Sequence, residues 1–170
     1  MKSTNKCVKD WNATIEALGH GLQTILIRNY KTRINEFLLY PTVSYSLKKD
    51  YLNNFKDTAH IFVSKNTFPE KKDGKVIIKY LAKLEKIVEN PLSKIPSDEY
   101  YIWTRDHVKD YIKGKTAFIW VLRVYKLNKP YWTEQSGGIR YVNLKEDISL
   151  EGIEPVLSDL EFNKVLEEIK

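Results

Sequence analysis

The residues best suited to holding a metal or acting as nucleophiles are three histidines and one cysteine, and their spacing offers neither chemistry a motif. His20, His60 and His107 stand far apart, with no His-x-x-x-His and no cysteine pair, so no metal and no other cofactor is expected. Cys7 has no base in a recognisable context and no G-x-S-x-G occurs; it reads as a small residue on an N-terminal turn. Gly19-His20-Gly21 is too short for a phosphate loop. Gly114-Lys115-Thr116 lacks the upstream glycine of one and reads as a turn. Asp73 with Lys79 or Glu85 would form the carboxylate and lysine set of a metal-dependent nuclease, although a chain so rich in Lys and Glu supplies such pairs by composition alone.

Polar groups set on apolar strands are more informative. Arg28 ends one apolar run and Arg123 interrupts another. A charge on a buried strand is costly unless paired. Each arginine is therefore either half of a structural ion pair or a guanidinium aimed at a ligand phosphate or base from a rigid sheet. The structural reading is favoured for Arg123; for Arg28, beside Lys31 and Arg33, the two readings balance. Tyr40, Tyr45, Trp103, Tyr131, Trp132 and Tyr141 lie near loops or strand ends. Aromatics beside basic groups suit base stacking, and the alternative for each is packing over the rim of a core.

The charge is uneven. The net is +6, yet from Lys145 to Lys170 three Lys face eight Asp or Glu, and residues 1–144 carry 25 basic against 14 acidic groups. A body of +11 with an acidic C-terminal stretch suits a polyanionic partner, while a solvated lysine surface is the plainer explanation of 23 Lys against 5 Arg. No apolar run reaches the ~18–20 residues of a membrane span, and the N-terminus has no apolar leader region. A lone cysteine allows no internal disulfide, which fits a reducing, cytoplasmic setting.

These residues need elements to position them. With 170 residues a single domain with a substantial core is expected over 1–170. Val8, Trp11, Ile15 and Leu18 fall at helical spacing and predict a helix over 8–19, ended by Gly19 and Gly21. Strands follow over Leu22–Arg28 and Glu36–Tyr40, the latter stopped by Pro41. A short amphipathic helix is expected over Tyr45–Phe55 and a strand over Ala59–Val63. Phe68–Gly74 reads as a turn or loop, and Val76–Val88 fits strand or helix equally. After a loop over Asn90–Asp98, Thr104 caps a short helix. Ala117–Leu127 is the clearest strand, followed by a loop over Asn128–Gln135 and a strand over Gly138–Leu144. Ser158 and Glu161 form a capping box that opens a helix over 159–169, with Leu160, Val165, Leu166 and Ile169 towards the core. Strands joined by loops rather than by long crossover helices give an α+β class, with a curved, mainly antiparallel sheet or small β-barrel and flanking helices.

Several blocks carry a resemblance. Trp11, Ile15-Glu16-Ala17-Leu18-Gly19, Gln23-Thr24-Ile25-Leu26-Ile27-Arg28, Phe37-Leu38-Leu39-Tyr40-Pro41-Thr42, Tyr101-Ile102-Trp103-Thr104, Leu122-Arg123-Val124-Tyr125-Lys126-Leu127 and Gly137 to Leu144 occur in one order. Together they resemble the prokaryotic domain-of-unknown-function family numbered 1802, over nearly the whole chain from Trp11 to Ile169. The resemblance implies a link to restriction–modification systems and favours strand for Val76–Val88. The chain departs from the family pattern at Asn29-Tyr30-Lys31, where a glycine-rich turn is usual, and at Val43-Ser44-Tyr45-Ser46, where a His-Gln pair is usual. More distantly, Gly21-Leu22-Gln23-Thr24 with Arg28 is similar to the opening of PUA-like domains, including the ASCH and EVE groups. That similarity implies a small barrel that binds nucleic acid or modified bases. Gln23 stands where the hydrolytic ASCH members have lysine, which argues against amidohydrolase activity.

The resulting expectation is a nucleic-acid-binding module for DNA or RNA, reading a base or modified nucleotide in a restriction or defence context. Its site would comprise Gln23, Arg28, Tyr40, Thr42, Trp103 and Arg140, with restriction-system proteins as further partners and no membrane association. The alternatives are a metal-dependent nuclease or hydrolase of a defence system and an interaction subunit that binds an acidic protein.

Overall fold

The apolar run from Ala117 to Leu127 lies inside a strand of 19 residues, Thr116–Glu134. Its centre, Ile119-Trp120-Val121-Leu122, is fully buried. β-Branched and aromatic side chains on both faces of a pleated ribbon require neighbours on both faces, and this strand sits inside the sheet rather than at its edge. The computed structural model describes residues 2–114 and 116–170. Lys115, at the centre of the expected Gly114-Lys115-Thr116 turn, lies outside the described residues.

In chain order the elements are β1 (Ser3–Trp11), α1 (Asn12–Gly19), β2 (Ile25–Arg28), β3 (Glu36–Thr42), α2 (His60–Lys65), β4 (Lys71–Lys72), β5 (Lys75–Pro91), α3 (Arg105–Ile112), β6 (Thr116–Glu134), β7 (Tyr141–Ser149), β8 (Glu154–Pro155) and α4 (Asp159–Glu168), with short 3₁₀ turns between some of them. Among the described residues one 8-stranded sheet runs β2-β6-β5-β3-β1-β7, with β4 added to β5 and β8 to β6. β1 and β3 pair in parallel and the other pairings are antiparallel. The class is α+β, with an open, curved, mainly antiparallel sheet.

Curvature shows in how the two faces are covered. Phe37 and Leu39 point into a core shared with α1 and α3, around Trp120. Leu38 and Tyr40, alternating with them, point into a second core built from strand residues such as Cys7, Ile78, Leu81 and Val142, with no residue from a helix. A sheet face that buries itself without helices must curl over its own surface. Register shifts at Ile78/Tyr80 and Leu84/Lys86 in the β5–β6 pairing provide the bends.

Several local expectations change. Val8 and Trp11 belong to β1, so the helix begins at Asn12 and not at residue 8. Cys7 is buried in that strand, and burial pushes its thiol up to about 12, which leaves it protonated and unreactive at neutral pH. Val8 packs with one core while Cys7 packs with the other. A strand between β3 and β7 therefore satisfies a spacing that also fits a helix. Residues 59–63 are not a strand: α2 begins at His60. The segment after Tyr45 forms 3₁₀ turns over Ser44–Leu47 and Tyr51–Asn54 rather than a helix. β6 continues through Asn128–Glu134, expected as loop, because β5 is long enough to pair with it from Lys75 to Pro91. Asp73 and Gly74 both have positive φ and turn β4 into β5, as an Asp-Gly hairpin does.

Both predicted caps form. The Thr104 hydroxyl accepts from His107 N at 3.0 Å. Ser158 and Glu161 close their reciprocal capping box. In α4, however, Phe162 enters the core and Leu160 is 83% exposed. The docking of α4 selects the Phe162 side of the helix, although Leu160 is equally apolar.

Candidate functional site

Parallel pairing sends β1 and β3 out of the sheet side by side, with Asp10 opposite Pro41 and Trp11 opposite Thr42. β2 ends nearby at Arg28, α3 covers one side, and the segment from Gln135 to Arg140 crosses the other. Between them lies a cleft of about 720 Å³, within the size range of small-ligand sites.

Its floor is an ion pair. The Arg28 guanidinium donates to Asp10 Oδ2, and the two residues are 8% and 9% exposed. The Trp11 amide donates to Asp10 Oδ1 at 2.7 Å, and the Thr42 hydroxyl donates to Asp10 O at 3.1 Å. Burial is the largest single influence on Arg28 and would lower its pKa, but Asp10, Tyr111 and Tyr30 together raise it above the ordinary value. The pair is a charge-assisted contact between two desolvated groups.

The walls are aromatic and basic. The Arg140 guanidinium lies 3.8 Å from the centroid of the Tyr30 ring, a close cation–π contact. Tyr30 packs edge-on against Trp120, and its carbonyl accepts from Trp120 Nε1 at 3.1 Å. Lys9 Nζ lies 5.2 Å from the Tyr40 ring centroid, and partial burial lowers its pKa. The Tyr111 ring sits 5.8 Å from the Arg28 guanidinium. Trp11 stacks on Tyr45 at 4.8 Å and meets His107 at 5.2 Å. Burial lowers the pKa of His107, so the ring tends to stay neutral. Lys9, Arg28, Lys71 and Arg140 face a single carboxylate, Asp10. Arg28 occupies that carboxylate, so no lining carboxylate is left for Lys9, Lys71 or Arg140.

Of the six residues singled out in the sequence, five line this cleft: Arg28, Tyr40, Thr42, Trp103 and Arg140. They do not act alike. Arg28 is committed to Asp10, Trp103 is 5% exposed, and the Tyr40 hydroxyl donates to Glu134 O and accepts from Ser136 N. Arg140 is the exposed one, with its guanidinium over Tyr30. Gln23 lies elsewhere. It is buried, its Nε2 donates to Ile25 O and its Oε1 accepts from the Ile102 amide, so it ties the β2 approach to the segment before α3. Sequence reasoning missed Lys9, Asp10, Tyr30 and Tyr111. Lys9 and Asp10 fall in residues 8–11, the end of β1 that helical spacing assigns to the helix over 8–19. Tyr30 lies between two expected strands, in a stretch noted only for departing from a glycine-rich turn.

The other constellations disperse. His20 packs against Phe62, His60 faces the Phe55 carbonyl and His107 meets Trp11. Among the described residues no three His, Cys, Asp or Glu side chains gather as metal ligands. Asp73 serves the hairpin turn, and Lys79 Nζ pairs with Glu16 Oε1 at 2.6 Å. Arg123 bonds Asp159 Oδ1 and Leu157 O, each at 2.9 Å, which is the structural role favoured for it. No helix among the described residues is long and apolar enough to cross a membrane.

Comparison with known proteins adds a family. No curated protein matches the chain. Among solved structures, ASCH from Zymomonas mobilis is similar at 16% identity and a TM-score of 0.46, covering 97% of this chain and 95% of that one. A serine-to-alanine variant of the same protein gives 16% and 0.46 over 97% and 96%, and a tyrosine-to-phenylalanine variant gives 14% and 0.45 over 97% and 98%. The family profile described as a domain of unknown function, DUF1802, matches residues 7–168. That span runs from within β1 to the end of α4, and the chain belongs to the DUF1802 family.

Proposed function

We propose that this protein binds nucleic acid and takes one unpaired nucleotide into the cleft between β1, β3 and α3. The observation that carries the reading is the joint presence, in one cleft, of unpaired cations and aromatic walls. Lys9, Lys71 and Arg140 have no carboxylate to answer among the lining residues once Asp10 is spent on Arg28. Phosphates supply the complementary charge, and a base supplies a flat apolar face for Tyr30 and its neighbours. A volume of about 720 Å³ accommodates a single nucleotide. Arg140 and Tyr30 are the leading contacts, Thr42 and Tyr40 hold the frame, and Arg28 fixes the floor. The family resemblance supports placing this binding beside restriction-type enzymes.

Fluorescence anisotropy with labelled single-stranded DNA and RNA, in EDTA at low salt, tests the reading. Binding is expected without divalent metal and should weaken as salt rises. Absence of binding to any oligonucleotide at low salt would make the basic body a solvated surface and refute the proposal.

A further inference from the structure

The segment that crosses the cleft is pinned at both ends. At one end the Ser136 amide donates to the Tyr40 hydroxyl at 2.8 Å, and Lys9 Nζ donates to Ser136 O at 2.6 Å. At the other end the Lys9 amide donates to Arg140 O at 2.9 Å, and the Arg140 guanidinium rests on Tyr30. Between these anchors stand Gly137, Gly138 and Ile139. Gly138 has φ +112°, and a side chain there would press within 3.0 Å of the Tyr141 carbonyl, so the shape of this tip requires glycine. Ile139 follows at the mouth of the cleft and is 93% exposed.

A single exposed apolar residue is ordinary on a protein surface. This one differs in position. It stands on a braced finger, next to the cation that faces the cleft, and contributes nothing to either core. Proteins that extrude a base from a duplex must fill or wedge the gap left in the stack. Compact apolar side chains beside phosphate-binding cations do this.

We infer that Ile139 is a wedge that enters a nucleic-acid duplex at the step from which a nucleotide is extruded into the cleft. The inference rests on the nucleotide-binding reading of that cleft and extends it from single strands to duplex substrates. The glycines let the tip enter the stack, the Ser136 and Arg140 anchors resist its displacement, and Lys9 couples the finger to the floor strand.

The test uses the full chain and 2-aminopurine oligonucleotides, as single strands and as mismatched duplexes, in DNA and RNA form. 2-Aminopurine brightens when unstacked. The unaltered protein should bind the duplex and brighten the probe. Ile139→Ser should abolish the brightening and lower the ratio of duplex to single-strand affinity by about tenfold or more, and Ile139→Leu should restore both. Duplex binding without brightening, brightening that survives Ile139→Ser, or an equal loss of both affinities would overturn the wedge. Binding confined to single strands would overturn it while leaving the cleft proposal standing. No binding to either form would end both.

Discussion

Asp10 and Arg28 are 18 positions apart, on different strands that are not neighbours in the sheet, yet they form a buried ion pair at the floor of the cleft. Removing one partner leaves the other desolvated and without its ion pair. Arg28→Ala should therefore destabilise the fold by about 3–5 kcal/mol, and exchanging both residues for apolar ones, Asp10→Leu with Arg28→Met, should recover most of that loss. Urea denaturation checks this. A single substitution that unfolds at the same urea concentration as the parent would show that the pair is not desolvated in solution.

Arg140 is exposed and its guanidinium lies over the Tyr30 ring. Arg140→Ala should change stability by less than about 1 kcal/mol while weakening single-strand binding by about 1–3 kcal/mol. Lys71 is exposed on β4, and Lys71→Ala should reduce the slope of log K against log salt by about 0.7 for a single-stranded ligand. Anisotropy titrations at several salt concentrations separate the two effects. An unchanged slope in Lys71→Ala would remove that lysine from the phosphate path.

His107 supplies a pH dependence. Burial lowers its pKa from the ordinary 6.5, with Asp110 opposing and Lys48 reinforcing the shift. The unfolded chain therefore takes up this proton before the folded chain does. Stability is intact above the ordinary value and is lost as pH falls through the lowered folded value. His107→Phe keeps a ring against Trp11 and should flatten that part of the profile. Urea midpoints between about pH 5 and pH 8 give the comparison, and parallel profiles for parent and variant would contradict it.

Gly19 closes α1 for a reason other than its backbone. A side chain at this position would collide with the Tyr80 ring, whose hydroxyl donates to Glu16 Oε2 at 3.2 Å. The left-handed residue of this helix end is Gly21 instead, with φ +72°. Helix propensity alone favours Gly19→Ala by about 1 kcal/mol, whereas overpacking costs about 1–3 kcal/mol. Net destabilisation is expected in thermal unfolding, and a rise in Tm would show that Tyr80 moves aside freely.

Features that depend on neighbours along the chain are legible in the residues alone. The run Ala117–Leu127 is β-branched and aromatic on both faces and is strand wherever it lies. The caps at Thr104 and Ser158 close over three residues and formed as read. The clustering of Arg28, Tyr40, Thr42, Trp103 and Arg140 was legible because strand ends and the loops beside them collect polar and aromatic groups. Tertiary structure decided what neighbours cannot specify. Val8 and Trp11 satisfy helical spacing, and only the slot between β3 and β7 makes that segment a strand. Gln23 has the polarity of a site residue, and its burial against the Ile102 amide turns it into a structural tie. Arg28 is held in an ion pair because Asp10 arrives from another strand, a pairing that helical spacing over residues 8–19 hides. Pairing of distant strands is fixed by the burial of whole faces, a sum over many residues that no local window contains.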